Sequence, residues 1–590
     1  MKFRLCLNIL LLIAISLTSF GQSPESSVTQ KNKTIAFVNA NVVPMDTERI
    51  LSNQTVIIRN GLISEIGASG KIKIPSDAIR IEGRGKYLIP GLVDAHVHLY
   101  STTEMPLYIA NGVTSVFDLN GRPAHLLWKK KIAALELPGP NIYACGPKFD
   151  RIRTPDEAVS EVERQFQAGY DGIKIYYQIS KEEFPSLVAA AKRHNLVVVG
   201  HIARLPGFEA TMKAGQSVAH AEEYLYSFFN QSPEPFKVNI KLDESRIPEA
   251  VALTRAGGAS VIPTLITYDH IVRQVAELDE FLKRPEFKYL APPQWDILQP
   301  ARNRYKNGFK PEEALELRKN LEFQKKLVKA LHAAGVPIIA GTDSLGVGTV
   351  GGFSLHEELM TFVSIGFSPF EALQTATSGA AEFLKSSDKF GTVTVGKRAD
   401  LLLLGGNPLE DIGNTSKLDG VMVRGNWMPK QNLRQMLENL PNDYRAEVES
   451  TSKMLGKNPA AALLYLDEND PFGQLGGVVL ENFAFQEGFG KLKTMLQQIK
   501  QNNPRSALIK ESTINNLGYE LIGRKQTKEA IEIFQINVEL YPDSGNVYDS
   551  LAEAYMINGD KELAIKNYKR SLELDPRNDN AVQYLKKLQP

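Results

Sequence analysis

Leu92-Val93-Asp94-Ala95-His96-Val97-His98-Leu99 opens a run of eight apolar segments. The others are VTSVFDL (113–119), NIYACG (141–146), GIKIYY (172–177), LVVVGH (196–201), QSVAHAE (216–222), SVIPTLI (260–266) and VPIIAGTD (336–343). Each is short, rich in Val and Ile, and separated from the next by an amphipathic helical stretch. Near-continuous apolar strands alternating with helices are the pattern of parallel strands buried on both faces. Eight such units over residues 91–390 match a (β/α)8 TIM barrel in count and length. The connections 224–250 and 266–325 exceed ordinary loop lengths and leave strand C-termini, where such barrels carry their sites, so both are lid candidates.

Outward from the barrel the style of the chain changes. Residues 34–90 alternate apolar and polar positions between turn signals, and 391–430 return to that style, so the two are expected to join into one small composite β-sandwich domain. Residues 431–510 read as a helical linker or adaptor. Residues 511–590 repeat at a 34-residue offset: Pro542 with Pro576, Ala530 with Ala564, Phe534 with Tyr568, Leu517 with Leu551. That is the tetratricopeptide period, with Gly518 and Ala552 small enough to let paired helices approach. Only two complete repeats are visible, so the first needs a cover. The helix FGKLKTMLQQIK (489–500) is expected to supply it by docking on Leu517, Leu521 and Phe534, making a tail that is dispensable for chemistry.

The amino-terminal residues read differently again. Lys2 and Arg4 precede the apolar run Ile9–Leu17, with small residues at Ser19 and Gly21. This predicts a signal peptide over 1–21, cut after Gly21, and a periplasmic or secreted location with no membrane span after cleavage. The whole chain has 590 residues and carries 68 Lys plus Arg against 67 Asp plus Glu, so no basic surface calls for a nucleic acid. Cys6 and Cys145 are its only cysteines, which excludes a disulfide framework and a thiolate metal cluster. Any metal must be held by imidazole and carboxylate.

Those groups are where a site needs them. His96 and His98, two apart in a strand, share a direction. His201, His220 and Asp343 end three further barrel segments. Polar and ionisable groups at the ends of apolar strands are costly unless paired or metal-bound, so the five converge on a metal site. Lys174 ends the fourth strand between Ile173 and Ile175, which point the other way. As an ammonium it would repel cations; as a carbamate formed with CO2 it would be a bidentate anion able to bridge two.

With D-A-H-V-H at 94–98, G-I-K at 172–174, His201, His220, G-T-D at 341–343 and G-K-R-A-D-L at 396–401, the chain resembles the amidohydrolase superfamily over residues 34 to about 430. The ligand order is similar to its binuclear imidazolonepropionase-related and prolidase-like members. The resemblance implies two divalent cations, with zinc expected: one held by His96, His98 and Asp343, the other by His201 and His220, and carbamylated Lys174 between them. Asp343 is then the catalytic residue, taking a proton from a hydroxide bridging the metals and delivering it to the leaving amine.

The activity expected is hydrolysis of an amide bond in a dipeptide, an Xaa-Pro-like peptide or an N-acyl amino acid. A lactone, carbamate or phosphotriester is the alternative substrate, and a non-catalytic repeat scaffold with a vestigial barrel is the alternative class. A mononuclear deaminase would be expected to show His-x-x-Glu after the fifth strand, whereas Ile202-Ala203-Arg204 follows His201. Arg204, Tyr268, Tyr176 and His270 lie near strand ends and are the candidate substrate contacts. A protein partner is expected for the repeats.

Overall fold

The computed structural model describes residues 33–588, apart from 231–239, 347 and 505. The expected signal peptide lies outside the described residues. Among the described residues no helix is long and apolar enough to cross a membrane.

The two ends of the barrel segment build one mixed sheet. Its strands run in the order Asn426–Pro429, Leu418–Val423, Leu401–Leu404, Tyr87–Pro90, Ile35–Val42, Leu51–Arg59 and Leu62–Ala68, with Ile79–Glu82 beside the first half of Ile35–Val42. The sheet folds over on itself. Phe37 and Trp427 stand four strands apart, yet their rings meet edge to face at 5.2 Å. The hairpin at Gly61 reaches the residues that lead into Leu401–Leu404, where Ala399 N donates to Gly61 O at 2.8 Å. Phe37, Val56, Leu88, Leu401 and Met422 fill the fold as a sandwich-like core.

From this sheet the chain enters the barrel without a loop, because Tyr87–Pro90 runs through Gly91 into strand Leu92–Val97. A Cβ at Gly91 would lie 2.1 Å from Thr114 Oγ1, so only glycine allows the neighbouring strand this close. Asp400 fastens the return segment: Asn141 Nδ2 donates to its Oδ2 (3.1 Å) and Arg424 N to its Oδ1 (2.8 Å).

Seven barrel strands form two parallel groups, Leu92–Val97 to Asn141–Ala144 and Gly172–Ile175 to Val261–Ile262. Bridges close the ring. Cys145 pairs with Gly172 on one side, and on the other Ile338 pairs with Val261 while Ser344 pairs with Val97. The eighth apolar segment therefore sits in its expected place, as isolated bridges and not as a continuous strand. Ile173, Ile175 and Val198 pack outward on Val162 and Leu187, while Val197, Val199, Ala219, Ile262 and Ile339 fill the barrel floor.

The helical tail starts earlier than its repeats. Helix Lys430–Lys457 buries Leu440 and Tyr444 in one cluster with Leu107, Leu278, Phe281 and Phe287 of the barrel and its long insertion. From Leu455 to Ala581 a second core is continuous: helix Phe489–Asn502 packs on the helix that carries Phe534, as expected, but Leu517 and Leu521 are covered by the preceding helix Gln474–Glu487, so a helix pair and not one helix caps the first repeat. A Cβ at Gly518 would lie 2.5 Å from the Phe534 ring, the close approach that the repeat pattern requires.

Candidate metal centre

The site lies at the C-terminal ends of the barrel strands. Asp94, fully buried, ties the first segment to the eighth: its Oδ2 accepts from Thr342 Oγ1 (2.6 Å), and its Oδ1 from Thr342 N (3.1 Å) and His96 N (3.2 Å). Burial pushes its carboxyl up to about 7. His220, Thr264 and Asp343 close their segments in the left-handed region, at φ of 75°, 48° and 52°. Such conformations are costly for non-glycine residues and persist where the surroundings fix them, characteristically at functional sites.

His96, His98 and Asp343 offer ligand atoms within 4.8 Å of one another. Asp343 Oδ1 is 3.1 Å from His96 Nε2 and 2.9 Å from His98 Nε2. The His220 ring lies 4.7 Å from that of His96 and stacks on His201 at 4.9 Å. His201 Nδ1 is 2.9 Å from Glu223 Oε1, which also accepts from the Tyr177 hydroxyl (2.8 Å), and His220 Nδ1 is 2.8 Å from Thr264 Oγ1. Both rings are thus oriented through Nδ1, which leaves Nε2 as the nitrogen for a ligand. Lys174 Nζ and His96 Nδ1 are buried without a hydrogen-bond partner.

These orphaned atoms, within a ring of imidazole and carboxylate donors, fit divalent cations by donor type. Burial holds His96, His201 and His220 well below the ordinary histidine range, so they are neutral and able to ligate. Burial also lowers the Lys174 amine to about 8. Asp343 is pushed up by burial, but His96 and His98 outweigh this and hold it well below the usual carboxylate range.

A cavity of about 410 Å³ opens over these residues. Of the four expected substrate contacts, Tyr176 and Tyr268 line it, Tyr176 with its ring edge on His201 at 4.6 Å. Arg204 does not line it: its guanidinium lies over the Tyr177 ring at 4.6 Å. His270 does not line it either, because its Nε2 sits 2.8 Å from Arg284 Nη1 in a network that Glu357 completes. The insertion 266–325, expected as a lid, supplies Arg304 and Tyr305 to the wall. Sequence reasoning missed these two, along with Tyr100, Lys148 and Glu222. It also missed Phe472, which reaches the cavity from the tail and meets Tyr100 at 5.4 Å. The tail is therefore part of the site's wall and not the detached unit expected.

Residues 87–428 match the amidohydrolase family. The chain belongs to this family. Residues 545–578 match the tetratricopeptide repeat. A putative prolidase from Bifidobacterium longum is similar in structure, with 25% identity and a TM-score of 0.52 over 69% of this chain and 99% of that one. A bottromycin amidohydrolase shares the fold at 22% identity, with a TM-score of 0.57 over 70% of this chain and 90% of that one. Among curated relatives, the adenine deaminase of Ruegeria sp. (strain TM1040) is 24% identical over 34% of this chain and 36% of its own length. The chain thus spans about a third of the length of that relative.

Proposed function

We propose that this amidohydrolase is a metal-dependent hydrolase of carbon–nitrogen bonds, acting on a peptide or N-acyl amino acid. In this reading His96, His98, His201, His220, Asp343 and carbamylated Lys174 hold two divalent cations, with zinc the expected metal. The observation that carries it is the buried Lys174 amine, without a hydrogen-bond partner, at the end of the strand facing four histidines and an aspartate. Bound there, such cations supply Lewis acidity toward a carbonyl oxygen and lower the pKa of water. The chain's own groups do the rest. With its amine lowered to about 8, Lys174 is partly neutral near physiological pH and able to add CO2, forming an N–C bond and releasing one proton to solvent. Asp343 Oδ1 faces His96 and His98, so Oδ2 is the oxygen open to take a proton and return it to the leaving nitrogen. Tyr176 and Tyr268 orient the substrate from the cavity wall.

Deamination is a second reading, favoured by the adenine deaminases among the curated relatives. Protein loaded with Zn²⁺ and bicarbonate, assayed for metal content and for hydrolysis of dipeptides, N-acyl amino acids, adenine, lactones and phosphotriesters, separates these. Ammonia release from adenine without amide cleavage would overturn the amidase reading, and failure to bind metal would overturn the site. We further propose that residues 1–21 direct export and are removed after Gly21, which the amino-terminal sequence of protein recovered from the natural host checks. A protein partner on the outer face of the repeats is proposed on the repeat match alone.

A further inference from the structure

Beyond the cavity over the metal ligands, a second one of about 810 Å³ lies between barrel and tail. The two are continuous: His98, Asp343, Tyr176, Arg304, Tyr305 and Phe472 line both. The outer space is walled on one side by the barrel insertion, through Gln274, Gln294 and Ile297, and on the other by Lys510, Ser512 and Asn516 at the start of the first repeat. Sites for small ligands occupy about 300–1,000 Å³, so the inner cavity alone suits a dipeptide-sized molecule and the outer one nearly triples the space.

This cleft has fixed walls. Thr103 Oγ1 donates to Glu447 Oε2 (2.6 Å), Trp128 Nε1 to the carbonyl of Glu468 (2.6 Å), and Arg524 pairs with Asp296 (2.6 Å). Phe472 is held where the two cavities meet by the Tyr100 ring and by the Arg122 guanidinium, 5.1 Å from its centroid. The lining mixes amides and hydroxyls, such as Gln294, Asn516 and Ser512, with an equal share of apolar surface, such as Ile297, Leu298 and Leu517, suited to the backbone groups and side chains of a peptide. Its charge is unbalanced. Glu520, the carboxylate on the tail side of the cleft, is paired with Arg302 (3.2 Å), while among the described residues Lys510 and Arg304 have no carboxylate within 4 Å; Arg304 is held over the Tyr305 ring (4.6 Å) and donates to its hydroxyl. Both cations lie away from the cavity floor, Arg304 where the cavities join and Lys510 on the tail.

We propose that the helical tail is half of the substrate site: the outer cleft takes the part of a peptide that follows the scissile amide, and Lys510 with Arg304 receives its terminal carboxylate. The preferred substrate is then an oligopeptide longer than a dipeptide. This rests on the amide-hydrolase reading and extends it.

The test uses the full-length, zinc-loaded protein and a peptide series of two to five residues, each as free acid and as carboxyl-terminal amide. The expected result is a kcat/KM that rises with length and favours the acid at four residues. Lys510→Glu, an exposed position, should raise KM for the four-residue acid about tenfold with kcat held, and abolish the preference for acid over amide. A kcat/KM that is flat or falls with length, or an acid preference that survives Lys510→Glu, overturns the proposal while leaving amide hydrolysis standing. If no peptide is cleaved, the amide-hydrolase reading fails instead, and calorimetric titration of the same four-residue acid and amide into native and Lys510→Glu protein decides the cleft: tighter binding of the acid, lost in the variant, supports it, and its absence overturns it.

Discussion

Lys174 and Asp343 carry opposite problems at the bottom of the cavity, and each makes a separate prediction. A buried amine without a hydrogen-bond partner is tolerated only if something takes up its charge or removes it. Lys174→Ala should therefore lose most of the bound metal and the activity, and short carboxylates added to the buffer should restore part of both. Metal analysis with and without added carboxylate checks this, and full activity in Lys174→Arg would overturn the carbamate, because a guanidinium cannot form one. Asp343→Asn keeps the side chain's shape and removes its basicity. A loss of turnover on the order of 10² or more is expected with at least one metal retained, since loss of a general base costs about 10²–10⁴. Unchanged turnover would show that another group moves the proton.

At the scale of elements, the tail repeats make the sharpest stability prediction. Gly518→Ala would push a methyl into the Phe534 ring, and overpacking of this kind costs about 1–3 kcal/mol. It should lower the melting temperature of the helical unit with metal content unchanged. The same contrast explains what the sequence made legible. Strand ends, the ligand set and the repeat offset are local patterns, and they placed the barrel and brought His96, His98, His201, His220, Lys174 and Asp343 together. Tyr176 and Tyr268 were within reach for the same reason. Arg204 and His270 were not, because what occupies each is remote in sequence: the Tyr177 ring for one, Arg284 and Glu357 for the other. Phe472 carries no local signal at all, as its contacts are Tyr100, Arg122 and His125, more than 340 positions away. Glu223 carries no local signal either, because the imidazole it orients is His201, 22 positions earlier, and not His220 beside it.

For the whole molecule the question is whether barrel and tail are separable, and the buried acids between them bear on it. Glu104 accepts from the backbone of Tyr100 and Ser101 and from Gln294 Nε2, and burial raises it from 4.5 to about 7. Across the same region Asp470 is raised to about 6, and Glu447 is raised as well, both chiefly by burial. A carboxyl raised on folding contributes stability that is fully present below its unfolded pKa and lost as pH rises through its folded one. Joining of the two units should therefore weaken between pH about 4 and 7. Glu104→Gln, which cannot ionise, should flatten the fall of melting temperature across that range relative to the native protein, and parallel curves for the two would overturn this. A chain cut at residue 435 removes all three of Leu440, Tyr444 and Phe472. The sequence alone suggested that such a barrel would work at a near-native rate. Leu440 and Tyr444 are buried among Leu107, Leu278 and Phe281, and deleting side chains of that size from a core costs several kcal/mol, about 2–5 for each. The expected outcome is instead a barrel of lowered melting temperature, exposing the apolar face that helix Lys430–Lys457 covers. A chain cut at 457 keeps that helix and should restore stability and metal binding. It lacks Phe472 and Lys510, so it should still turn over substrate poorly, with a raised KM. Near-native kinetics in the 457 chain would mean that the tail only covers the barrel and takes no part in binding.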